Sequence, residues 1–271
     1  MFMRDGQTMG FIEAWQSGLA VGVPGAIALY EDTHKQYGKL PWADLFAPAI
    51  KLARDGFEVS PRLAGFLPRM GELGRLDENP GAAQYFYPDG KPLQPGHLLK
   101  NPEYARTLGS IAEQGAAVFY SGEIASEMVA AARAEPNPGT LSLEDIAAYK
   151  SSQRPAVCGP FRDIRICGST PPSSAASLIM MRGLYQHLSA GMTSQEDKLA
   201  AFVDAQRLAY ADRDHFFADP DVVDVPVEAL ISPAYLEHRA GQRFAPQAVP
   251  KHGDPEGFAG AAQASVWGQD S

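Results

Sequence analysis

Residues 18–60 read GLAVGVPGAIALYEDTHKQYGKLPWADLFAPAIKLARDGFEVS, and the first eight of them set three glycines ahead of a helical pattern. Such a start raises phosphate binding, because glycine-rich turns at a helix N-terminus present backbone N–H groups to anions. The spacing argues otherwise. A dinucleotide fingerprint needs G-x-G-x-x-G after a strand, whereas here the glycines stand at 18, 22 and 25, and Pro24 lacks the N–H donor that a cradle would use. The stretch reads instead as a tight turn whose glycines serve geometry. It feeds a helix over Ala26–Tyr37, with Gly25 as its cap and Gly38 as its C′ glycine.

The same punctuation recurs along the chain. Ser60-Pro61, Asn101-Pro102 and Ser232-Pro233 each put a capping side chain before a proline in the first helical position. Ser142, with Asp145 three residues on, starts a short helix in the manner of a capping box. From Leu199 the residues Phe202, Val203, Tyr210 and Phe217 predict a long amphipathic helix ending near Asp219-Pro220. The pattern gives about eight helices in all.

Strands are scarcer, and the best pair lies in residues 154–170, RPAVCGPFRDIRICGST. A turn centred on Arg162-Asp163 pairs Phe161 with Ile164, Gly159 with Ile166 and Cys158 with Cys167. Val157, Phe161, Ile164 and Ile166 then share an apolar face. The two cysteines fall on the other face with Arg165, at a position where Cα atoms sit about 4.5 Å apart, inside disulfide reach. A cross-strand disulfide is the expectation for an exported protein, and two reduced thiols are the alternative. The segment from Gly241 to Gln269, rich in Ala, Gly, Gln and Pro without periodicity, is expected to be the least ordered part.

Composition excludes several classes. With 45% hydrophobic residues the 271-residue chain can bury a sizeable core, and it is read as a single domain over residues 1–271. A net charge of −9 without any Lys/Arg block gives nucleic acid no counterion-release attraction. No stretch approaches the roughly 20 apolar residues of a membrane helix, and the opening MFMRDGQTMGFIEAW lacks the basic-then-apolar order of a secretory signal.

Self-contained chemistry is not in evidence either. There is no G-x-S-x-G elbow, and no Lys lies three residues after a Ser. The six histidines are scattered, with no pair at helical metal-ligand spacing. Asp212, Asp214, Asp219, Asp221 and Asp224 lack the glycine and closing glutamate of a calcium loop, so they are read as helix-end and turn acids, and Asp212 and Arg213 as polar packing groups. No catalytic residue, metal ligand or cofactor is assigned from spacing.

Read in order, the stretches nevertheless resemble one family. Residues 18–60, then FYPDGKPLQPGHLLKNPEYARTLGSIAEQG (86–115), FYSGEIASEMV (119–129), LSLEDIAAYK (141–150), TPPSSAA (170–176) and LAYADRDHFFADPDVVDVPVEALISPAYL (208–236) are similar to the large subunit of the gamma-glutamyltransferase, or glutathione hydrolase, family. The resemblance implies an α/β N-terminal-nucleophile hydrolase, a four-layer αββα sandwich of which this chain supplies the mostly helical large-subunit part. It implies a precursor that cleaves itself before a threonine, whose hydroxyl, with its own free α-amine as base, attacks gamma-glutamyl amides.

On this reading the closing SVWGQDS places Ser271 at the cleavage site, as the residue supplying the carbonyl of the processed bond. The nucleophile and nearly all substrate contacts belong to a small catalytic subunit from the same precursor. The family's Arg that grips the substrate α-carboxylate sits in an Asp-Phe-Arg-Glu-like segment, and nothing in Met1–Gly18 matches it, so the chain alone is expected to be inactive. The implied substrate is a gamma-glutamyl peptide such as glutathione, with no cofactor, in a periplasmic or extracellular setting, a cytoplasmic one remaining open. The family's Pro-Pro-Pro-Ser-Ser-Gly-Gly appears as Thr170–Ala176, where Ser173 or Ser174 is expected to cap the next helix and Ala replaces Gly. Two other readings stand beside this one: a non-catalytic scaffold derived from the family, and part of a same-scaffold acylase for glutaryl or cephalosporin-type amides.

Overall fold

In the computed structural model the described residues are 2–258, apart from Asp5 and Arg243. They divide into two compact units, with the division in sequence between Ser152 and Gln153.

In the first unit the opening ribbon β1 (Met3–Arg4) and β2 (Gln7–Thr8) leads to α1 (Phe11–Trp15), α2 (Ala26–Tyr37) and α3 (Trp42–Asp55). Next come β3 (Phe57–Glu58), α4 (Pro61–Gly74), α5 (Pro80–Phe86), β4 (Leu98–Leu99), α6 (Pro102–Gln114), α7 (Gly122–Ala132) and α8 (Leu143–Ala148), with β3 and β4 antiparallel. The expected caps form. Ser60 accepts from Leu63 N, Asn101 from Tyr104 N, and Ser142 and Asp145 complete a reciprocal capping box. Asn79-Pro80 repeats the device at α5, where the sequence reading placed no cap. Two small cores result: Val59, Leu67, Tyr87, Leu93 and Leu99 in one, with the Tyr87 hydroxyl donating to Leu67 O at 2.5 Å, and Ala125, Ala132, Leu141 and Ile146 in the other.

The second unit starts with the hairpin β5 (Val157–Phe161) and β6 (Ile164–Gly168). Its register is the one the sequence predicts, Phe161 against Ile164 and Cys158 against Cys167, and the cysteines are joined as a disulfide with Cα atoms 4.1 Å apart. Gly159 matters here: a Cβ on it would come within 2.3 Å of Ile179 on α9 (Ala175–Leu188), so the missing side chain lets the hairpin lie close against that helix. Then follow α10 (Gln195–Phe216), α11 (Val227–Leu230) and α12 (Pro233–Ala240), around a core of Met180, Leu184, Ala205, Leu208, Leu230 and Tyr235.

Three expectations are corrected. The described residues hold twelve α-helical segments rather than about eight, because several, such as α1 and α11, are single turns too short to show periodicity. Gly38 does not adopt the left-handed C′ conformation (φ −64°); it is small because a Cβ would meet the His34 ring at 2.3 Å. On α10 the buried stripe is Ala201, Ala205, Leu208, Ala209 and Asp212, while Phe202, Val203 and Tyr210 are exposed. Alanines let α10 approach α9 closely, so the small residues, not the large ones, mark the core face. Of the segment Gly241–Gln269, residues 259–269 lie outside the described residues; in the described part Phe244 and Phe258 pack against the second unit's core.

Candidate functional site

The glycine turn of residues 18–25 is consumed by the fold. A Cβ on Gly18 would lie 1.8 Å from Ala132 O, and one on Gly25 would lie 2.0 Å from the Tyr149 hydroxyl. Gly18 N donates to Asn137 O at 2.8 Å; Ala28 N, in the first turn of α2, donates to the Tyr120 hydroxyl at 3.0 Å, which in turn donates to Pro24 O at 2.7 Å. These donors already have partners inside the protein.

The segment Thr170–Ala176 enters α9 through a cis peptide between Pro171 and Pro172. Ser174 occupies the N-cap, but its side chain caps nothing; the turn is closed by Leu178 N donating to Ser174 O at 3.0 Å. One turn on, the Ser177 hydroxyl is buried and is the one buried side-chain polar atom without a hydrogen-bond partner among the described residues. No motif singled it out.

Asp212 is the most connected polar group of the second unit. It sits on the core face of α10 at zero exposure, beside an Arg239 that is 3% exposed on α12. Its carboxylate accepts from Arg239 Nη2 at 3.0 Å, from the Tyr235 hydroxyl at 2.9 Å and from Gly253 N at 2.7 Å. Arg239 completes the network by donating to Lys251 O and Gln242 Oε1. Burial, and then the adjacent Asp212 charge, push the Tyr235 phenol well above its usual range, so it stays a protonated donor. Every carboxylate lone pair aimed at this network meets a donor, which is what permits a charge at zero exposure. The reading of Asp212 as a polar packing group therefore holds, whereas Arg213 pairs with Asp214 outside the core.

The other acids and histidines also find local partners. Arg154 bridges Asp219 and Asp221, which accounts for two of the carboxylates that suggested calcium. His215 stacks face to face on His252, centroids 3.5 Å apart. Thirty-seven positions separate them in the chain, so spacing alone could not bring them together. Among the described residues no three His, Cys, Asp or Glu side chains gather as a metal site.

What remains open is a broad apolar groove of about 1040 Å³ in the second unit, lined by Phe161, Leu178, Tyr185, Leu199, Phe202 and Tyr210, with Arg182 and Lys198 among its polar members. The Arg182 guanidinium lies 4.7 Å over the Phe161 ring, and Tyr185 meets Phe202 edge to face at 5.9 Å. Leu199 at 63% exposure and Leu178 at 51% are apolar surface of the kind that another protein layer covers. The arrangement offers contact area rather than reacting groups: no nucleophile stands beside a base there. Ser271 lies outside the described residues.

Comparison with known proteins follows the same direction. The family model described as Gamma-glutamyltranspeptidase matches residues 1–267. The chain is 33% identical over 246 residues to the glutathione hydrolase proenzyme of Escherichia coli K12, an alignment covering 89% of this chain and 42% of that protein. It is 34% identical over 223 residues to the acylase ACY 1 proenzyme of Pseudomonas sp. SE83, covering 81% and 39%. Among solved structures it superimposes on the gamma-glutamyltranspeptidase of Helicobacter pylori with a TM-score of 0.81 at 32% identity, over 92% of this chain and 71% of that one. The chain thus spans about two fifths of the length of these curated relatives. Its fold class is the α/β fold of N-terminal-nucleophile hydrolases, of which it carries a largely helical part.

Proposed function

Because the chain belongs to the gamma-glutamyltranspeptidase family, we propose that it is the large-subunit part of a self-processing N-terminal-nucleophile hydrolase that cleaves gamma-glutamyl amides and passes the gamma-glutamyl group to water or an amino acid. The observation that carries the reading is the family match over residues 1–267 of a chain that spans 42% of a relative named as a glutathione hydrolase proenzyme. On this reading the whole of residues 1–271 is one incomplete large-subunit domain, and Ser271 supplies the carbonyl of the bond cut during maturation. The small catalytic subunit from the same precursor brings the threonine nucleophile and its amine base.

The chain's own contribution is then architectural. The Asp212 network ties residues 251–253 to α10 and α12, and the groove around Phe202 gives a partner layer an apolar surface to cover. These side chains are already about half buried, so covering the rest of each contributes about 1 kcal/mol to assembly. The Cys158–Cys167 disulfide supports a periplasmic or extracellular setting, where such bonds persist.

The similarity to an acylase proenzyme supports a second reading, in which the acyl group is glutaryl or a cephalosporin side chain. Assaying the full-length, matured protein on gamma-glutamyl and glutaryl p-nitroanilides side by side separates the two. The first reading expects turnover of the gamma-glutamyl substrate by at least tenfold in kcat/KM. Preference for the glutaryl substrate, which lacks the α-amine, selects the acylase, and turnover of neither removes both.

A further inference from the structure

The Cys158–Cys167 disulfide joins two strands that are already held in other ways. Five residue pairs run along the ladder from Val157↔Gly168 to Phe161↔Ile164. The Gly159 face lies against Ile179 of α9, and a Cβ on Gly168 would come within 2.7 Å of Ala175. Opening the sulfur bridge removes neither the ladder nor that packing. The bond is also reachable: Cys167 is exposed while Cys158 is half-buried, and the cysteine face of the hairpin is the one turned away from α9. Arg165 shares that face, two residues from Cys167, and is itself exposed. A guanidinium on that face attracts the anionic thiolate that approaches it.

We propose that this disulfide is a thiol-exchange site, with Cys167 as the sulfur attacked by small aliphatic thiols. The thiolate RS⁻ attacks Cys167 Sγ, the Cys158–Cys167 bond breaks, and Cys158 leaves as a thiolate that takes a proton from water, giving a mixed disulfide RS–S–Cys167. A second thiolate then displaces Cys167 and releases RSSR, so two thiols are oxidised and the protein disulfide is reduced by the same two electrons. Before that second step Cys158 can return to Cys167 Sγ and expel RS⁻, which makes the modification reversible. Exposure selects Cys167 over Cys158, because the incoming sulfur must approach in line with the bond. The inference does not rest on the enzymatic reading above.

The test uses the full-length native protein in graded mixtures of reduced and oxidised glutathione, quenched with an alkylating agent and read by intact mass and peptide mapping. The expected result is a glutathione adduct on Cys167 with Cys158 alkylated, reversed on removal of the thiol, while circular dichroism stays native. C158S, which lacks the returning thiolate, accumulates the adduct at least tenfold more than the wild type. An untouched disulfide in the native protein that the same mixture reduces in urea overturns the proposal. So does an adduct on Cys158 alone, or reduction that coincides with loss of the native circular dichroism.

Discussion

Asp212 accepts the backbone N–H of Gly253 at 2.7 Å across forty-one positions of the chain. The same carboxylate holds Arg239 and Tyr235, so one side chain joins α10, α12 and the segment that follows them. Asp212→Ala leaves the Arg239 guanidinium buried without its counter-charge, and removing one member of such a pair costs about 3–5 kcal/mol. Urea unfolding of the second unit should register that loss. Replacing Asp212 and Arg239 together by Leu and Met should recover a large part of it, whereas equal instability of the single and double variants would show that the pair's charge is not what matters.

Gly18 and Gly25 are small for contact, and Gly22 is not: a Cβ on Gly22 meets nothing within 4 Å. Gly18→Ala drives a methyl into the Ala132 carbonyl and is expected to destabilise by about 3 kcal/mol, with Gly25→Ala, which meets the terminal atoms of Tyr149, at about 1–2 kcal/mol. Gly22→Ala should fall within about 0.5 kcal/mol of the parent. Thermal melts that rank Gly22→Ala worst would contradict the packing account of this turn.

These particulars show what the sequence could reveal. The β5–β6 register, the capped starts at Ser60, Asn101, Ser142 and Ser232, and the dismissal of a phosphate cradle all follow from spacing within a dozen residues. The Asp212–Gly253 bond, the His215–His252 stack and the burial of alanines on α10 depend on partners far along the chain, about which local periodicity is silent. The exposure of Phe202 and Tyr210 reversed the expected core face for the same reason. Function was legible only through the ordered resemblance of many stretches, since local spacing spells out no catalytic signature.

Glu31 links α2 to the turn before α7, accepting from Ala116 N at 2.8 Å while pairing with Lys35. The Lys35 hydrogen bond first, and the Ala116 N–H second, hold its carboxyl below the ordinary carboxylate value. A depressed folded-state pKa stabilises fully above the unfolded value of about 4.3 and is lost as pH falls through the folded one. Glu31→Gln should therefore cost about 1 kcal/mol at pH 7 and less at acid pH. The difference between the two proteins in chemical-denaturation midpoint, measured from pH 7 down to pH 3, should shrink. A constant gap would mean that the charge contributes nothing.

Ser177 buries a hydroxyl that has no partner among the described residues. Its desolvation costs about 1–3 kcal/mol, so Ser177→Ala in this chain should be neutral or stabilising. A loss of more than about 1 kcal/mol on calorimetry would reveal a partner for the hydroxyl.

The central claim, that this chain is the large-subunit part of a self-processing hydrolase, meets its most direct test in denaturing intact-mass analysis of the protein expressed from its full-length gene, with N-terminal sequencing of every chain. The account predicts two chains, the first ending at Ser271 and the second beginning with threonine. A single uncleaved polypeptide that nonetheless turns over gamma-glutamyl amides, or a cut at any other position, would contradict it.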